Sequence, residues 1–255
     1  MAARMPARRG EVCYRPIRWD DIEDIVTSFD LTWGTPGKAV DTVLSRLTSR
    51  RFVLHYLAAS TWVTVATLHG RFMGVVVGRV PGDPLLFEGA AGELRAVDDQ
   101  LQASEAGRVA LRDMRYWIDV EHRLEVQAHV ETGHAEVELF IVDAASRGHG
   151  VGRELWRRVM AHFADRELLG SFLHTDSSCD VGFYDAHGLV CAVTRRSDEH
   201  PEDLDRISEP LEDLFIYVAS PRVMARQLSP ERRGALGAST DADAAASGDG
   251  DRGAR

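Results

Sequence analysis

Apolar positions along the chain alternate between two periods, and each change of period marks a change of element. Val12 to Ile17 (VCYRPI) predicts a first strand, and Trp19 to Val26, with acids crowded into its first turn, predicts a helix start. Residues 38–48 (KAVDTVLSRLT) carry apolar positions at helical spacing. Two β-branched runs then flank His69, Gly70 and Arg71, a hairpin pattern. Between Asp83 and Gly133 long helical periodicity with plentiful charge predicts a helical hairpin inserted between strands. Ala135 to Asp143 (AEVELFIVD) predicts the fourth strand, followed by the glycine-rich stretch SRGHGVG. Val151, Leu155, Val159 and Phe163, joined by Trp156 and Met160, form the apolar face of a helix expected to end near Gly170. A strand at Phe172 to Thr175, a short helix to His187 stopped by Gly188, and strands at Leu189 to Thr194 and Leu214 to Ala219 complete the pattern. The expected class is α/β (α+β): a mixed central sheet flanked by helices, with a helical insertion at 83–133 before the fourth strand and a parallel pair across the helix after the glycine turn.

With 255 residues, 44% of them hydrophobic, the chain has enough apolar surface for a folded domain, placed at 12–222. The ends, 1–11 and 229–255, have few large apolar residues and are expected to be disordered. No apolar run approaches the roughly eighteen residues of a membrane span. MAARMPARRG is followed by no apolar stretch of the kind a secretory signal needs, so a cytoplasmic protein without a membrane partner is expected. Cys13, Cys179 and Cys191 fit neither a disulfide framework nor a C-x-x-C pair and read as packing thiols. A formal charge of −10 opposes nucleic-acid binding and fits an amine-bearing partner better.

The glycine stretch sits where a strand feeds a helix, a place where unpaired N–H groups and the helix dipole favour an anion. A dinucleotide fingerprint counted from Gly148 needs glycine where Arg153 stands, and the G-K-[ST] of a nucleotide triphosphate loop is absent. The pattern that does match is R-x-x-G-x-G, Arg147 to Gly152. With Phe140 and Val142 ending the strand before it, and Phe183 Tyr184 Asp185 Ala186 His187 Gly188 Leu189 downstream, the chain resembles the GCN5-related N-acetyltransferase family over roughly Val12 to Ser220. Ala144 replaces a proline common in that family, and Ser177 and Asp180 replace its usual Asn and Ala.

The resemblance implies acetyl-CoA as cosubstrate, no metal, and direct attack of a primary amine, that of a small molecule, on the thioester. It places the pyrophosphate on Gly148, His149, Gly150, Val151, Gly152 and Arg153 with Arg147 adding charge, the pantetheine arm near Ser177, and the oxyanion on the Val142 N–H. Tyr184 becomes the acid that protonates the departing thiolate. Glu136 and Glu138, two apart and so on one face of the strand, are candidate bases or else simply its wet side. His187 is expected at the surface. His122, His129 and His134 match no compact metal-ligand spacing. The insertion reads as a lid over the acceptor, a homodimer contact or a brace for the sheet. A silent acyl-CoA-binding sensor is the other reading of the whole.

Overall fold

A computed structural model describes residues 11–34, 43–146, 148–208, 211–226 and 228. The expected termini and Arg147 therefore lie outside the described residues, apart from Glu11. Seven strands form one sheet in the order β1-β2-β3-β4-β5-β7-β6: β1 Cys13–Pro16, β2 Trp62–Leu68, β3 Arg71–Arg79, β4 His134–Val142, β5 Gly170–Asp176, β6 Val190–Arg195 and β7 Leu214–Ala219. Among the described residues only β4 and β5 run parallel. The hairpin between β2 and β3 turns on His69 and Gly70, both at positive φ, as a two-residue loop requires.

Two helices, α1 (Ile22–Trp33) and α2 (Val43–Ala59), lie between β1 and β2. The second runs eleven residues past the Thr48 to which the spacing was followed, because Val53, Leu54 and Leu57 continue its buried face. Between β3 and β4 stand α3 (Ala90–Gln102) and α4 (Glu105–Ala128), joined through Ala103 and Ser104, whose hydroxyl caps α4 by accepting from the Gly107 N–H at 3.0 Å. Val97 and Leu101 of α3 and Leu111 and Met114 of α4 enclose Leu54 of α2, a small core outside the main sheet. Among the described residues no helix is long and apolar enough to cross a membrane.

The helix after the glycine turn, α5 (Val151–Ala164), ends six residues before Gly170. The intervening segment turns back on β4 through Leu169 N–H to the Gly133 carbonyl at 2.8 Å, which starts β5 parallel beside β4. On the α5 side, Trp156, Met160 and Phe163 pack with Leu173, Tyr217 and Ala219; on the opposite side, Val120 and Leu124 of α4 pack with Phe172, Ile216 and Leu214. The short α6 (Gly182–Ala186) and α7 (Pro221–Ala225) complete the α5 side, with Gly188 at φ 83 closing α6 as expected.

The thiols depart from expectation. Cys13 and Cys191 are exposed, and they sit on β1 and β6, the two edge strands, where one side has no neighbouring strand to cover it. Cys179, in the turn after β5, is half-buried.

Candidate active site

The sheet opens where its one parallel pair ends. β4 and β5 are paired from His134↔Gly170 to Glu136↔Phe172, after which β4 stays with β3 as far as Val142↔Gly74 and β5 stays with β7 as far as Asp176↔Leu214. Backbone groups of the two strands that face this fork past Glu136 have no partner across it, which suits them to a ligand. A bulge at Glu138 adds to the effect: Val77 pairs with Leu139 but Gly78 with Val137. Side-chain parity changes there, so Val137 joins the α5-side core while Leu139 and Ile141 face the other way.

At the open end of β4 the glycine turn leads into α5. Gly148 and Gly150 adopt φ 79 and 69, a left-handed conformation that side chains resist. Gly150 is the residue before α5, and its carbonyl accepts the first helical bond, from Glu154 N–H at 3.1 Å. The N–H groups of Val151, Gly152 and Arg153 therefore have no acceptor within the helix. Val151 is buried and anchors the helix start, Gly152 lies against Val142 (a Cβ there would stand 3.3 Å from its side chain), and Arg153 points to solvent. The Ser146 hydroxyl ties the turn to the Met73 carbonyl of β3 at 2.5 Å.

Tyr184 stands on α6 among Trp156 and Tyr217, with ring centroids 5.7 and 5.5 Å away. Burial, then the nearby Cys179, pushes its phenol well above the ordinary value. Thr175 on β5 faces that phenol and moderates the shift; its own buried hydroxyl closes no hydrogen bond in strict geometry. His187 is not at the surface as expected. It is half-buried, its ring 4.1 Å from Phe183 and its Nδ1 2.7 Å from the Phe183 carbonyl, because the last turn of α6 folds it onto the aromatic cluster. Ser177 is exposed past the end of β5, and its hydroxyl donates to Glu212 at 2.7 Å.

The other side of the fork is acidic. Glu136 and Glu138 share a face, as their spacing implies, and both are buried rather than wet: Arg79 of β3 binds Glu136 and, through Nε at 2.6 Å, Glu138. Burial first, then the Glu136 carboxylate, drives the Glu138 carboxyl above the usual range, with Arg79 opposing. From β5, His174 Nε2 lies 3.1 Å from Glu125 and 3.8 Å from Glu136. Burial pulls the His174 imidazolium down, but Glu121, Glu125 and Glu136 outweigh it and hold its pKa at about 9. Glu121 is raised by burial, whereas Glu125, against the pull of burial, is held low by His174 and His122. Tyr56 of α2 senses Glu121, Glu138 and Glu136 together. Four carboxyl groups thus surround two cationic side chains, and polar atoms of Glu125, Glu136 and His174 gather within 4.8 Å, a grouping that would hold a metal ion only with the His174 ring deprotonated.

Sequence reasoning found Glu136 and Glu138 but missed Arg79, Glu121, Glu125 and His174. Glu121 and Glu125, four apart behind Trp117 on α4, were the available signal. The three histidines weighed for metal go separate ways: His122 to Glu125, His129 to the end of α4 at φ 57, and His134 to the Thr132 carbonyl.

A mixed sheet opened between parallel β4 and β5, with a glycine turn leading from one of them into a helix, defines the class of fold. The model of the Acetyltransferase (GNAT) family matches residues 26–189, and the chain belongs to that family. No curated protein matches it in sequence. Among solved structures, an agmatine N-acetyltransferase mutant in its apo form aligns at TM-score 0.53 with 16% identity, covering 82% of this chain and 99% of that one. A mosquito arylalkylamine N-acetyltransferase like 5b aligns at TM-score 0.50 with 20% identity, covering 82% and 100%. The family is one of acetyltransferases, which use acetyl-CoA with an acceptor, and these neighbours share its fold.

Proposed function

We propose that the protein is an acetyl-CoA-dependent N-acetyltransferase whose acceptor is a small cationic primary amine. One observation carries the reading: the start of α5, where the N–H groups of Val151, Gly152 and Arg153 have no acceptor within the helix, and a cluster of Glu121, Glu125, Glu136 and Glu138 lie on opposite sides of the β4–β5 fork. The glycine turn suits pyrophosphate, by the N–H groups of Gly148 and of Gly150 to Arg153 and the charge of Arg147 and Arg153, the His149 N–H being held by the Ser146 carbonyl at 3.2 Å. The cluster suits an ammonium and a second positive group.

Acetyl-CoA supplies a thioester carbonyl that the amine nitrogen attacks and from which the sulfur departs. Val142 offers its backbone N–H to the oxygen that gains charge. Glu138, a stronger base than an ordinary carboxylate, takes the proton of the ammonium, and Arg79 positions it beside Glu136. Tyr184, whose proton is firmly held at neutral pH, gives it to the departing thiolate. Two protons leave the nitrogen: Glu138 takes the first from the ammonium before attack, and the second leaves the tetrahedral intermediate as the C–S bond breaks and Tyr184 protonates the thiolate, so that one proton ends on coenzyme A and one passes to solvent.

Thermal-shift titration with coenzyme A tests the cofactor half, with a rise in melting temperature expected and none at millimolar ligand contradicting it. Stabilisation without turnover of acetyl-CoA on any amine would favour the silent sensor, a reading that the engagement of Ser177 with Glu212 supports.

A further inference from the structure

On the outer face of the paired helices the sign of charge reverses. Arg108, Arg112 and Arg115 follow one another on α4 at spacings of four and three, which stacks them on one stripe of the helix. Together with Arg206, from the connection between β6 and β7, they line a cavity of about 550 Å³ whose floor includes Leu111 and Tyr116. Asp119 is the one carboxylate among its lining residues. Like charges at this spacing repel, so the stripe works against the helix that bears it.

Few of these guanidinium donors are used. Arg112 binds its neighbour Asp113 at 2.7 Å, and Arg115 reaches Asp98 at 3.5 Å. Arg108 donates to the Gln102 carbonyl at 3.0 Å. Among the described residues Arg206 has no carboxylate partner. Behind the cavity the Tyr116 hydroxyl donates to Asp203 at 2.7 Å, and Asp203 also holds the buried Arg195. The second terminal nitrogen of Arg195 is buried without an acceptor, although Asp203 balances the charge of that guanidinium. Arg123 lies 5.8 Å from the Tyr116 ring, leaving an aromatic surface flanked by cations.

We propose that this cavity is a second ligand site, for a phosphorylated small molecule with a flat or apolar portion. Guanidinium forks match phosphate oxygens, while Leu111 and Tyr116 offer the apolar contact. The site is separate from the glycine turn, because α4 and α5 cover opposite faces of the sheet. It is also distinct in sign from the acidic cluster, although α4 contributes to both: its first half carries the arginines and its second half Glu121 and Glu125.

The test is calorimetric titration of ATP, and separately of inorganic pyrophosphate, into the full chain already saturated with coenzyme A. One-site binding of ATP is expected, at least tenfold weaker in Arg108→Glu/Arg206→Glu and weakening as salt rises. Neither arginine is paired with a carboxylate, and Arg108→Gln/Arg206→Gln, with the same expected direction, guards against a folding defect in the charge-reversed variant. Pyrophosphate binding as tight as that of ATP would overturn the aromatic part of the proposal. No binding of either, or binding that the variants leave unchanged, would overturn the whole. Coenzyme A affinity measured in the same samples reports the proposed function separately, since the arginine variants should leave it unaltered.

Discussion

Tyr184 holds its proton because burial among Trp156 and Tyr217 disfavours a phenolate, so its hydroxyl can act only when a stronger base appears beside it. A departing thiolate is such a base once it forms. Tyr184→Phe keeps the ring packing and removes the proton; steady-state assays should show kcat reduced on the order of 100-fold with coenzyme A affinity unchanged. An unchanged kcat would reassign the tyrosine to packing. Glu138 is governed by the same physics with the opposite use, since burial and Glu136 make its carboxyl a late-titrating base. Activity as kcat/KM should therefore climb from neutral into alkaline pH as that group ionises, and Glu138→Gln should flatten the climb. At Gly150 the constraint is conformational: Gly150→Val forces a branched side chain into φ 69, a cost of about 1–2 kcal/mol, and should weaken coenzyme A binding measured by thermal shift.

At the scale of elements the acidic cluster proposed to take the acceptor is made by pairing rather than by any single stretch. β3 brings Arg79, β4 brings Glu136 and Glu138, β5 brings His174, and α4 lowers Glu121 and Glu125 onto them. The glycine turn and the Tyr184 segment were legible in the sequence because each is local: a few consecutive residues whose types follow from backbone conformation or from one chemical task. Element types and order were legible for the same reason, through the periodicity of Val151 to Phe163 or of the β2–β3 hairpin. Arg79 and His174 were not, since nothing within a strand announces which ion pairs its neighbours will complete. The bulge at Glu138 was equally hidden, as it exists only in the register between β3 and β4. Glu121→Gln/Glu125→Gln should raise KM for a dicationic amine about tenfold or more and leave a neutral amine nearly unaffected, in parallel steady-state assays.

For the whole molecule, half-buried histidines shape the pH dependence of stability. His174 has its folded-state pKa raised from 6.5 to about 9, so its contribution is full below pH 6.5 and lost as pH rises through 9; a shift of that size corresponds to roughly 3 kcal/mol. His55 and His162, burial having lowered each to about 4, contribute in the other direction: full above pH 6.5, lost as pH falls toward 4. Urea denaturation across pH should show greatest stability near pH 6.5, with His174→Gln removing much of the alkaline decline. In the proposed reading, the same excess of acid that holds His174 protonated also selects the acceptor, so substrate choice and alkaline instability would share one source. The most direct test is turnover of acetyl-CoA by the full chain with agmatine and with a neutral aliphatic primary amine of matched length. The account predicts kcat/KM for agmatine at least tenfold higher, with the preference shrinking in Glu121→Gln/Glu125→Gln. Equal turnover of the two amines, or a preference for the neutral one, would contradict it.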